Sequence, residues 1–568
     1  MKNIPLGSCQ LQHQLQEIFQ KAVKKLFEIS FLPEISRCKA PQQADYQTAV
    51  AMALAKEMKK NPREVGQALV EHLEHPLIDR LEIAGPGFIN IYLSNAYITD
   101  QSEHLFASFP RQSGKVLIDY SSPNVAKELH VGHLRSTIIG DSLARLFHFL
   151  GFEVMKINHI GDFGTQFGML VTYILEKELN VEKSCLSDLM EWYRCSKVEF
   201  DQDAHFKKRA QEMVVRLQAH EAPIQKIWKQ ILEISRKGFS EIYHVLGVEL
   251  IERGESFYQP FLKNVVELFA KKGLVEISHG AKCVFLDGYK DQNDQPLPLI
   301  IQKSDGGYNY ATTDLAALYY RIEQDKADRI IYVTDLGQAQ HLNMVFDAAI
   351  LCGYYDPHHT IVEHAPFGLV LNHDGTKMKT RSGEVFRLID LIHEAIGKAK
   401  EILIERYNNE MDEKTIDEMA KILGVNAIKY ADLSTVRTKD YIFSFERMLR
   451  FDGNTAAFNL YSYVRIKSIL KKCKKQAAPI VLTHPSERKL LITLYQLYEV
   501  LDIVRRDLMP HRIAEYLFHL AETFNEFFRD CRVEGVEEEP SRVHLLHKTQ
   551  KAFEICFDLL GLKTLDRM

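Results

Sequence analysis

The stretch Lys115-Val-Leu-Ile-Asp-Tyr120 is a short apolar run of the kind that forms a buried strand. A polar loop follows it, then an amphipathic run from Val131 to Leu150 that stops at Gly151, and then Glu153-Val-Met-Lys-Ile-Asn158. Strand, helix and strand at this spacing predict a βαβ unit whose two strands lie parallel in one sheet.

The same pattern returns after a long interruption. From about Lys183 to Arg253 the chain is charged and helical, and no strand signal follows until Ala281-Lys-Cys-Val-Phe-Leu286. We therefore predict that about 180–290 is an insertion into the sheet domain. The α/β pattern then resumes with two further apolar segments, a helix from about Asp314 to Gln324 and the strand Arg329-Ile-Ile-Tyr-Val333. The two segments are Leu299-Ile-Ile301 and Tyr308-Asn-Tyr310.

The two ends of the chain have different patterns. Residues 10–110 contain two helical runs and then a segment that alternates around Gly85-Pro-Gly87, which predicts a hairpin in an α+β module. Strand signals disappear after about Phe386. From Glu446 to Met568 the chain carries only long runs of helical period, which predict an all-helical bundle.

Composition excludes several classes of protein. The 568 residues, with 46% hydrophobic and 26% charged, predict a multi-domain globular chain. Because 71 basic residues stand against 76 acidic ones, any nucleic-acid site must be a local patch. Nine scattered cysteines include no C-x-x-C pair, which favours a reducing compartment and argues against structural zinc. We therefore predict a soluble, cytoplasmic protein without membrane segments, since apolar runs stay shorter than about 18 residues.

The loop after the first strand carries the most informative chemistry. It lies where open α/β sheets bind ligands, and His130 and His133 lie three residues apart at the start of the following helix, with Gly132 between them. The free N–H groups there favour a phosphate, and Gly132 leaves room for a closely packed ligand. Two plainer interpretations stay open: half of a metal site with no third ligand evident, and two histidines at a helix cap.

A second loop, Asn372-His-Asp-Gly-Thr-Lys-Met-Lys-Thr-Arg-Ser-Gly383, is polar, basic and punctuated by glycine. Such a loop can move lysine and arginine onto a triphosphate, although by composition alone it could be a solvated surface loop. The two loops in this order, across an interrupted parallel sheet, are a more specific indication of function than either loop alone.

Here the chain resembles the class I aminoacyl-tRNA synthetases, and more closely the arginyl-tRNA synthetase family. His130-Val-Gly-His133 resembles the HIGH signature and Lys377-Met-Lys-Thr-Arg-Ser-Gly383 a variant of the KMSK loop. Four further motifs are similar to that family: Ser121-Ser-Pro-Asn-Val-Ala-Lys127, Gly161-Asp-Phe-Gly-Thr-Gln-Phe-Gly168, Ile83-Ala-Gly-Pro-Gly-Phe-Ile-Asn90 and Gly453-Asn-Thr-Ala-Ala457.

The resemblance implies a domain plan and a reaction. The plan is an N-terminal α+β module at 1–110 that contacts the tRNA elbow, and a Rossmann-like parallel-sheet catalytic domain at 111–385 with an insertion at about 180–290. A connecting region at 386–440 contacts the tRNA stem, and an all-helical anticodon-binding domain occupies 441–568. The reaction is activation of L-arginine by ATP with Mg²⁺ to arginyl-adenylate, followed by transfer to the 3′-terminal ribose of tRNA(Arg). It also implies that tRNA binds before arginine is activated, and that the protein is a monomer that does not bind DNA.

The same resemblance implies roles for individual residues. The expected catalytic residues are Lys127, His130, His133 and Lys377. The expected ATP-binding residues are His130, Gly132, His133, His341, Lys377 and Arg381. The expected arginine-binding residues are Asp119, Ser122, Asn124, Tyr310, Asp314 and Gln338.

Some of these residues also have plainer explanations. In the KMSK-like loop Lys379 stands where serine is usual and Thr380 replaces the second lysine, and Lys127 looks like the substitute cation. Lys127 could instead be an exposed loop lysine, and Asp314 could be an acid favoured in the first turn of a helix.

RNA binding and two rival functions complete the expectations. Arg465, Lys467, Lys471 and Lys472 form a stripe without acids that suits phosphate binding, or else a solvated helix end. A small-molecule nucleotidyltransferase would share the two loops but would not need the terminal modules. A non-catalytic tRNA-binding relative tends to lose the histidines and the acidic pocket, and both are present here.

Overall fold

The computed structural model describes residues 10–38, 44–107, 109, 111–291, 293–376, 378, 386–407 and 411–568. The chain forms two compact units. The first, called the sheet unit below, comprises residues 113–449 and 560–562. The second, called the flanking unit, comprises the segment before residue 113 together with 450–559 and 563–568.

The N-terminal part of the flanking unit is an α+β module. Its elements are α1 (Leu11–Phe27), β1 (Ile35–Arg37), β2 (Tyr46–Thr48), α2 (Val50–Met58), α3 (Pro62–His72), β3 (Ile78–Ala84), β4 (Phe88–Leu93) and α4 (Asn95–Gln101). The strands form an antiparallel sheet in the order β1-β2-β4-β3. Strands β3 and β4 are the hairpin that the Gly-Pro-Gly turn predicted. Gly87 has a φ of 136°, and a Cβ there would lie 2.8 Å from Cβ of Pro62.

The sheet unit begins with the predicted βαβ unit and continues through a long series of helices and short strands. Its elements are β5 (Lys115–Asp119), α5 (Val131–Phe149), β6 (Glu153–Asn158), α6 (Thr165–Glu176), α7 (Leu186–Gln202), α8 (Ala204–Gln218), α9 (Ala222–Leu246), β7 (Ile251–Glu252), α10 (Glu255–Lys271), β8 (Glu276–Ser278), β9 (Ala281–Lys290), β10 (Pro296–Gln302), α11 (Tyr310–Glu323), β11 (Arg329–Tyr332), α12 (Ala339–Cys352), β12 (Ile361–His364), β13 (Val370–Leu371), α13 (Leu388–Tyr407), α14 (Glu413–Leu433), β14 (Tyr441–Ile442) and α15 (Phe445–Met448).

Five of these strands form a parallel sheet in the order β12-β11-β5-β6-β7. The central strand β5 buries Val116, Leu117 and Ile118, as its apolar run predicted. Helix α5 packs closely over the end of β5, because a Cβ on Gly140 would lie 2.4 Å from Cβ of Tyr120. The N–H of Ser121 also donates to Oγ of Ser136, one turn earlier in α5, at 2.9 Å. The helix therefore runs back along the strand, and its first turn lies at the carboxyl edge of the sheet, where parallel sheets bind ligands.

Four details differ from the sequence predictions. Strand β14 lies within 441–568, the region predicted to be all-helical, and pairs in parallel with β13. Strand β7 lies within the region interpreted as an insertion, and its two residues are too short to give a periodic signal. The segment around Leu299 pairs antiparallel with β9 instead of joining the parallel sheet. Tyr308-Asn-Tyr310 is not a strand, because the side chain of Asn309 accepts a hydrogen bond from the N–H of Thr312 and starts α11.

The C-terminal part of the flanking unit is the predicted helical bundle. It consists of α16 (Ala456–Lys472), α17 (Pro485–Asp507), α18 (His511–Asp530) and α19 (Glu539–Leu559). Within this unit the α+β module packs on α17: Arg488 donates to both carboxylate oxygens of Asp45 at 2.8 Å. No described helix is both long enough and apolar enough to cross a membrane.

Candidate active site

The carboxyl ends of β5, β6 and β11 lie at one edge of the parallel sheet. The loops that leave them carry the candidate residues Ser122, Asn124, Lys127, His130 and Gln338. Residues 120–130 follow β5, residues 159–164 follow β6 and residues 333–338 follow β11. Two of these loops are joined, since the N–H of Val125 donates to the carbonyl of Gly161 at 3.1 Å.

The two candidate histidines cap α5. Nδ1 of His130 accepts from the N–H of Gly132 at 3.0 Å, and Nδ1 of His133 accepts from the N–H of His130 at 3.1 Å. The helix-cap interpretation is therefore correct as geometry. A Cβ on Gly132 would lie 2.9 Å from Cε1 of His130. The absence of a side chain at Gly132 therefore leaves space for the His130 ring, and not only for the ligand expected from the sequence.

The protonation state of His133 follows from its surroundings. Burial, and then the positive charges of His130 and Lys127, lower the pKa of His133 to about 3. At neutral pH the ring is uncharged, so it can act as a hydrogen-bonding group but not as a fixed cation. The positive charge available to a phosphate here comes from the helix terminus and from lysines.

Lys127 and Asn124 lie in the same loop as the histidines. Nζ of Lys127 lies 5.0 Å from the ring centroid of Tyr193 on α7, a cation–π distance. Asn124 is exposed, and its Oδ1 occupies the space above Gly161, where a Cβ would lie 2.2 Å away. Lys127 is thus in contact with the inserted helices, while Asn124 faces the surface.

Asp119 is already paired within the protein. Its carboxylate is 4% exposed, and Oδ2 accepts from Nη2 of Arg321 at 2.7 Å. Oδ1 accepts from the hydroxyl of Ser122 at 2.8 Å. Arg321 is fully buried, so this ion pair belongs to the interior and one carboxylate oxygen is engaged with an internal guanidinium.

Asp314 lies nearer the surface, one turn after Tyr310 on α11. Its side chain is 25% exposed, and its Oδ2 lies 2.6 Å from Nε2 of His341 on α12. The exposed ring of Tyr310 packs edge-on against His341, with centroids 4.8 Å apart. The structure therefore groups Asp314, Tyr310 and His341, whereas Gln338 is exposed in the short 3-10 helix before α12.

Sequence reasoning missed two further carboxylates, Glu255 and Asp162. Burial and the charges of Asp314 and Asp162 raise the pKa of Glu255 to about 8, although the N–H of Phe163 donates to its carboxylate. Burial raises the pKa of Asp162 to about 6, although this carboxylate accepts from the N–H and hydroxyl of Ser256. A buried carboxyl whose pKa is raised by two neighbouring acids marks a site that favours a bound cation.

A sequence signal for these acids did exist. Asp162 lies inside the glycine-rich motif at 161–168, and Glu255 directly follows Gly254 after a strand. The strand before Glu255, β7, is only two residues long, so its end could not be placed and Glu255 was not recognised as an edge residue.

The second loop is only partly described. Asn372 and Thr376 close a turn, with the N–H of Asn372 donating to the carbonyl of Thr376 at 2.8 Å. Met378 is buried, and its N–H donates to Val370. Outside the described residues lie the candidates Lys377 and Arg381, and also Lys379 and Thr380, which differ from the usual KMSK pattern.

Two of the four candidate RNA-binding cations are used inside the flanking unit. Nη1 of Arg465 donates to Oδ1 of Asn525 at 2.9 Å, and Lys467 pairs with Asp566. Lys471 and Lys472 are exposed at the end of α16. In the part of the chain that the structure describes, no group of three His, Cys, Asp or Glu side chains is arranged to hold a metal ion.

Comparison with known proteins identifies the family of this chain. Three family models match: "tRNA synthetases class I (R), catalytic domain" over residues 97–445, "DALR anticodon binding domain" over 459–568 and "Arginyl tRNA synthetase N terminal domain" over 13–93. The arginine–tRNA ligase of Protochlamydia amoebophila is 49% identical, over 98% of this chain and 99% of that protein. The arginine–tRNA ligase of Chlamydia caviae is 45% identical, over 95% and 96%.

Solved structures agree as well. The crystal structure of arginyl-tRNA synthetase from Plasmodium falciparum superposes with a TM-score of 0.88 at 32% identity, over all of both chains. The Thermus thermophilus arginyl-tRNA synthetase has the same fold, with a TM-score of 0.82 at 24% identity over 98% of this chain and all of that one. The chain therefore belongs to the arginyl-tRNA synthetase family, whose activity is the ligation of arginine to tRNA.

Proposed function

We propose that the sheet unit activates L-arginine with ATP to give arginyl-adenylate and pyrophosphate, and transfers the arginyl group to the 3′-terminal ribose of tRNA(Arg). The observation that carries this proposal is the contact of Asp314 with His341 at the carboxyl edge of the sheet, with the buried carboxyl of Glu255 close enough for the charge of Asp314 to raise its pKa. Both steps need in-line positioning and charge stabilisation, and neither needs a covalent protein nucleophile.

Asp314 and Glu255 are the proposed receptors for the substrate guanidinium. A guanidinium is a flat fork of five N–H donors that keeps its charge, and paired carboxylates match it better than they match the point charge of lysine. His341 contacts the carboxylate of Asp314, and the Tyr310 ring packs against His341. For Asp119 we propose an indirect role, because its carboxylate holds Ser122 and Arg321.

The other end of the amino acid and the nucleotide have their own proposed partners. Ser122, Asn124 and Gln338 would orient the α-amino and carboxylate groups. ATP would lie against the first turn of α5, at His130, Gly132 and His133, with His341 beside it. Lys377, Arg381 and Lys127 would supply positive charge to the triphosphate, and Mg²⁺ would arrive with ATP and neutralise phosphate charge.

The proposed roles of the other domains follow the sequence expectations. The module at 1–110 would contact the tRNA elbow, the region at 386–440 the tRNA stem, and the bundle at 441–568 the anticodon. Within the bundle, support for phosphate contact is strongest for Lys471 and Lys472, since Arg465 and Lys467 have internal partners. We further propose that the protein acts as a monomer in the cytoplasm.

The experiment that tests this function is ATP–pyrophosphate exchange, measured with and without tRNA(Arg). We expect exchange that depends on both arginine and tRNA. Exchange that needs neither would favour a small-molecule nucleotidyltransferase. Binding of tRNA with no exchange in any mixture would favour a non-catalytic relative.

A further inference from the structure

One face of helix α9, in the inserted part of the sheet unit, makes hydrogen bonds to the loops of the active site. Nε1 of Trp228 donates to the carbonyl of Asp162 at 2.8 Å. Oγ of Ser235 accepts from the N–H of Ala126 at 3.1 Å. The hydroxyl of Tyr243 shares a hydrogen bond of 2.7 Å with the hydroxyl of Ser121.

These three side chains share one side of α9. They are spaced by seven and eight residues, which at 3.6 residues per turn places them within about 80° around the helix axis. The helix therefore contacts the loop after β5 at two points and the loop after β6 at one. Trp228, Ser235 and Tyr243 contact these loops through side-chain hydrogen bonds and not only through apolar packing.

The loop after β5 needs such support because its backbone is strained. Ser121, Ser122 and Ala126 have φ values of 71°, 46° and 58°, in the left-handed region that favours glycine. Non-glycine residues in this region are strained and persist only where the surroundings hold them. Tyr243 and Ser235 bond to two of the three strained residues.

The strained loop in turn orients groups proposed to bind the substrate. Asn158 joins the two sides: its Nδ2 donates to the Tyr243 hydroxyl at 3.2 Å, and its Oδ1 accepts from the N–H of Ser122 at 3.0 Å. Ser122 then donates to Asp119 at 2.8 Å. A continuous chain of hydrogen bonds thus runs from α9 through Asn158 to the end of β5.

The contact with the loop after β6 leads to the acidic site. Asp162, whose carbonyl receives the Trp228 N–H, accepts from the N–H and hydroxyl of Ser256 at the start of α10. The N–H of Glu255 donates to the carbonyl of Ile160 in the same loop at 3.0 Å. The position of the Glu255 carboxylate therefore depends on a loop that α9 also contacts.

We infer that α9 is a positioning helix for arginine activation, and that Tyr243 is a positioning residue whose hydroxyl holds the Ser121–Ser122 turn in its active conformation. The inference rests on the proposed function. It assigns no catalytic contact to Tyr243, which touches Ser121 and Asn158 and acts through them. A purely structural role would change the stability of the fold, whereas a positioning role changes the kinetics at unchanged stability.

The test replaces only the hydroxyl, as Tyr243→Phe, and measures tRNA-dependent ATP–pyrophosphate exchange. Small displacements of substrate-binding groups cost up to about a hundredfold in rate, so we expect kcat/KM for arginine to fall by about tenfold or more. The thermal midpoint and the Kd for tRNA should stay at the parental values. Tyr289→Phe is the matched control, because it removes a hydroxyl bonded to Asp347 on another part of the unit.

A double-mutant cycle assigns the effect to the bond itself. Ser121→Ala alone should lower kcat/KM, and the pair Tyr243→Phe with Ser121→Ala should lower it little further, because neighbours in one network are not additive. Ser235→Ala should act in the same direction, whereas Ser240→Ala on the exposed side of α9 should not.

The outcomes separate this inference from the proposed function. Parental kinetics in Tyr243→Phe, or losses that simply add in the double variant, would overturn the positioning role. A loss of kcat/KM matched by a lower thermal midpoint would also overturn it, in favour of a structural role. If the parental protein itself shows no arginine-dependent exchange, the proposed function fails and the inference falls with it.

Discussion

Nε2 of His341 lies 2.6 Å from Oδ2 of Asp314, and this contact joins the start of α12 to α11 at the carboxyl edge of the sheet. The histidine fixes one carboxylate oxygen, while the side chain of Asp314 stays a quarter exposed. An acid held in this way is preorganised to accept a flat cation from the open side. The plain explanation of Asp314 as a helix-start acid does not account for the histidine.

The first prediction concerns this pair. Asp314→Asn keeps the shape of the side chain but removes its charge, and charge-assisted bonds are roughly twice as strong as neutral ones. We expect kcat/KM for arginine to fall by about a hundredfold or more in ATP–pyrophosphate exchange with tRNA present. The KM for ATP and the thermal midpoint should change little. Asp347→Asn, on the same helix as His341, is the control, and equal losses in both variants would argue against a substrate contact.

The second prediction concerns pH and Glu255. Because the pKa of Glu255 is raised to about 8 by burial and by the charges of Asp314 and Asp162, its carboxyl is protonated at pH 7 in the free protein. A bound guanidinium favours the ionised form, so arginine binding should release about one proton at pH 7. Arginine affinity should therefore rise as pH increases towards about 8 and level off above it.

Calorimetry of arginine binding in buffers of different ionisation heat measures this proton release directly. Glu255→Gln should weaken arginine binding and abolish the release. Glu276→Gln, on strand β8, replaces an exposed acid in the same unit and should leave both quantities unchanged. A parental protein that binds arginine with no proton exchange between pH 6.5 and about 8 would contradict the raised pKa.

The third prediction concerns the buried pair of Asp119 and Arg321. Removing one partner of a buried ion pair leaves the other charge without compensation and costs about 3 to 5 kcal/mol. Arg321→Met should therefore lower the stability of the sheet unit by an amount of this order. Both tryptophans, Trp192 and Trp228, belong to that unit, so urea unfolding followed by tryptophan fluorescence reports it.

The exposed pair of Arg209 and Glu176 provides the comparison, and Arg209→Met should leave the urea midpoint near the parental value. The double variant Asp119→Asn with Arg321→Met should lose less than the two single variants together, because it leaves no buried charge unpaired. Additive losses would show that the two side chains are not coupled, and would contradict the indirect role proposed for Asp119.

The sequence predicted the parts of the fold that rest on long periodic runs. β5, α5 and β6 came from apolar runs and their spacing, and the helical bundle came from runs of helical period. A two-residue strand such as β7 is too short to show a periodic pattern. The sequence therefore could not predict that the inserted region contributes a strand to the parallel sheet. The apolar content of the Leu299 segment predicts a strand but does not identify its neighbour, which is the antiparallel strand β9.

The candidate site was predictable in its motifs but not in its internal contacts. The histidines at the start of α5 and the acid at Asp314 follow from motif and position. The partner of Asp119, Arg321, lies some 200 residues away, and only the fold brings it to the end of β5. Glu255 depends on the same long-range packing, since its pKa is raised first by burial and then by acids from two other segments.

The fourth prediction concerns RNA contact by the exposed cations at the end of α16. Lys471 and Lys472 are the last two residues of α16. The earlier cations of this helix, Arg465 and Lys467, have partners in the flanking unit. Reversing both charges, as Lys471→Glu with Lys472→Glu, should weaken tRNA(Arg) binding. It should also reduce the dependence of log Kd on log salt by about one to two, since each lost phosphate contact removes about 0.7 to 0.9.

The kinetic consequence separates binding from chemistry. Because the reversed charges lie far from the acidic site in sequence and in a different unit, KM for tRNA should rise while kcat at saturating tRNA stays near the parental value. Lys207→Glu with Lys208→Glu, two neighbouring exposed lysines of α8, is the matched double reversal with the same change in net charge. The formal charge of the chain is −5, so it attracts RNA only through a local basic patch, and the position of a reversed charge should decide its effect. Equal weakening of tRNA binding by both pairs would instead mean that the total charge, and not this end of α16, controls binding.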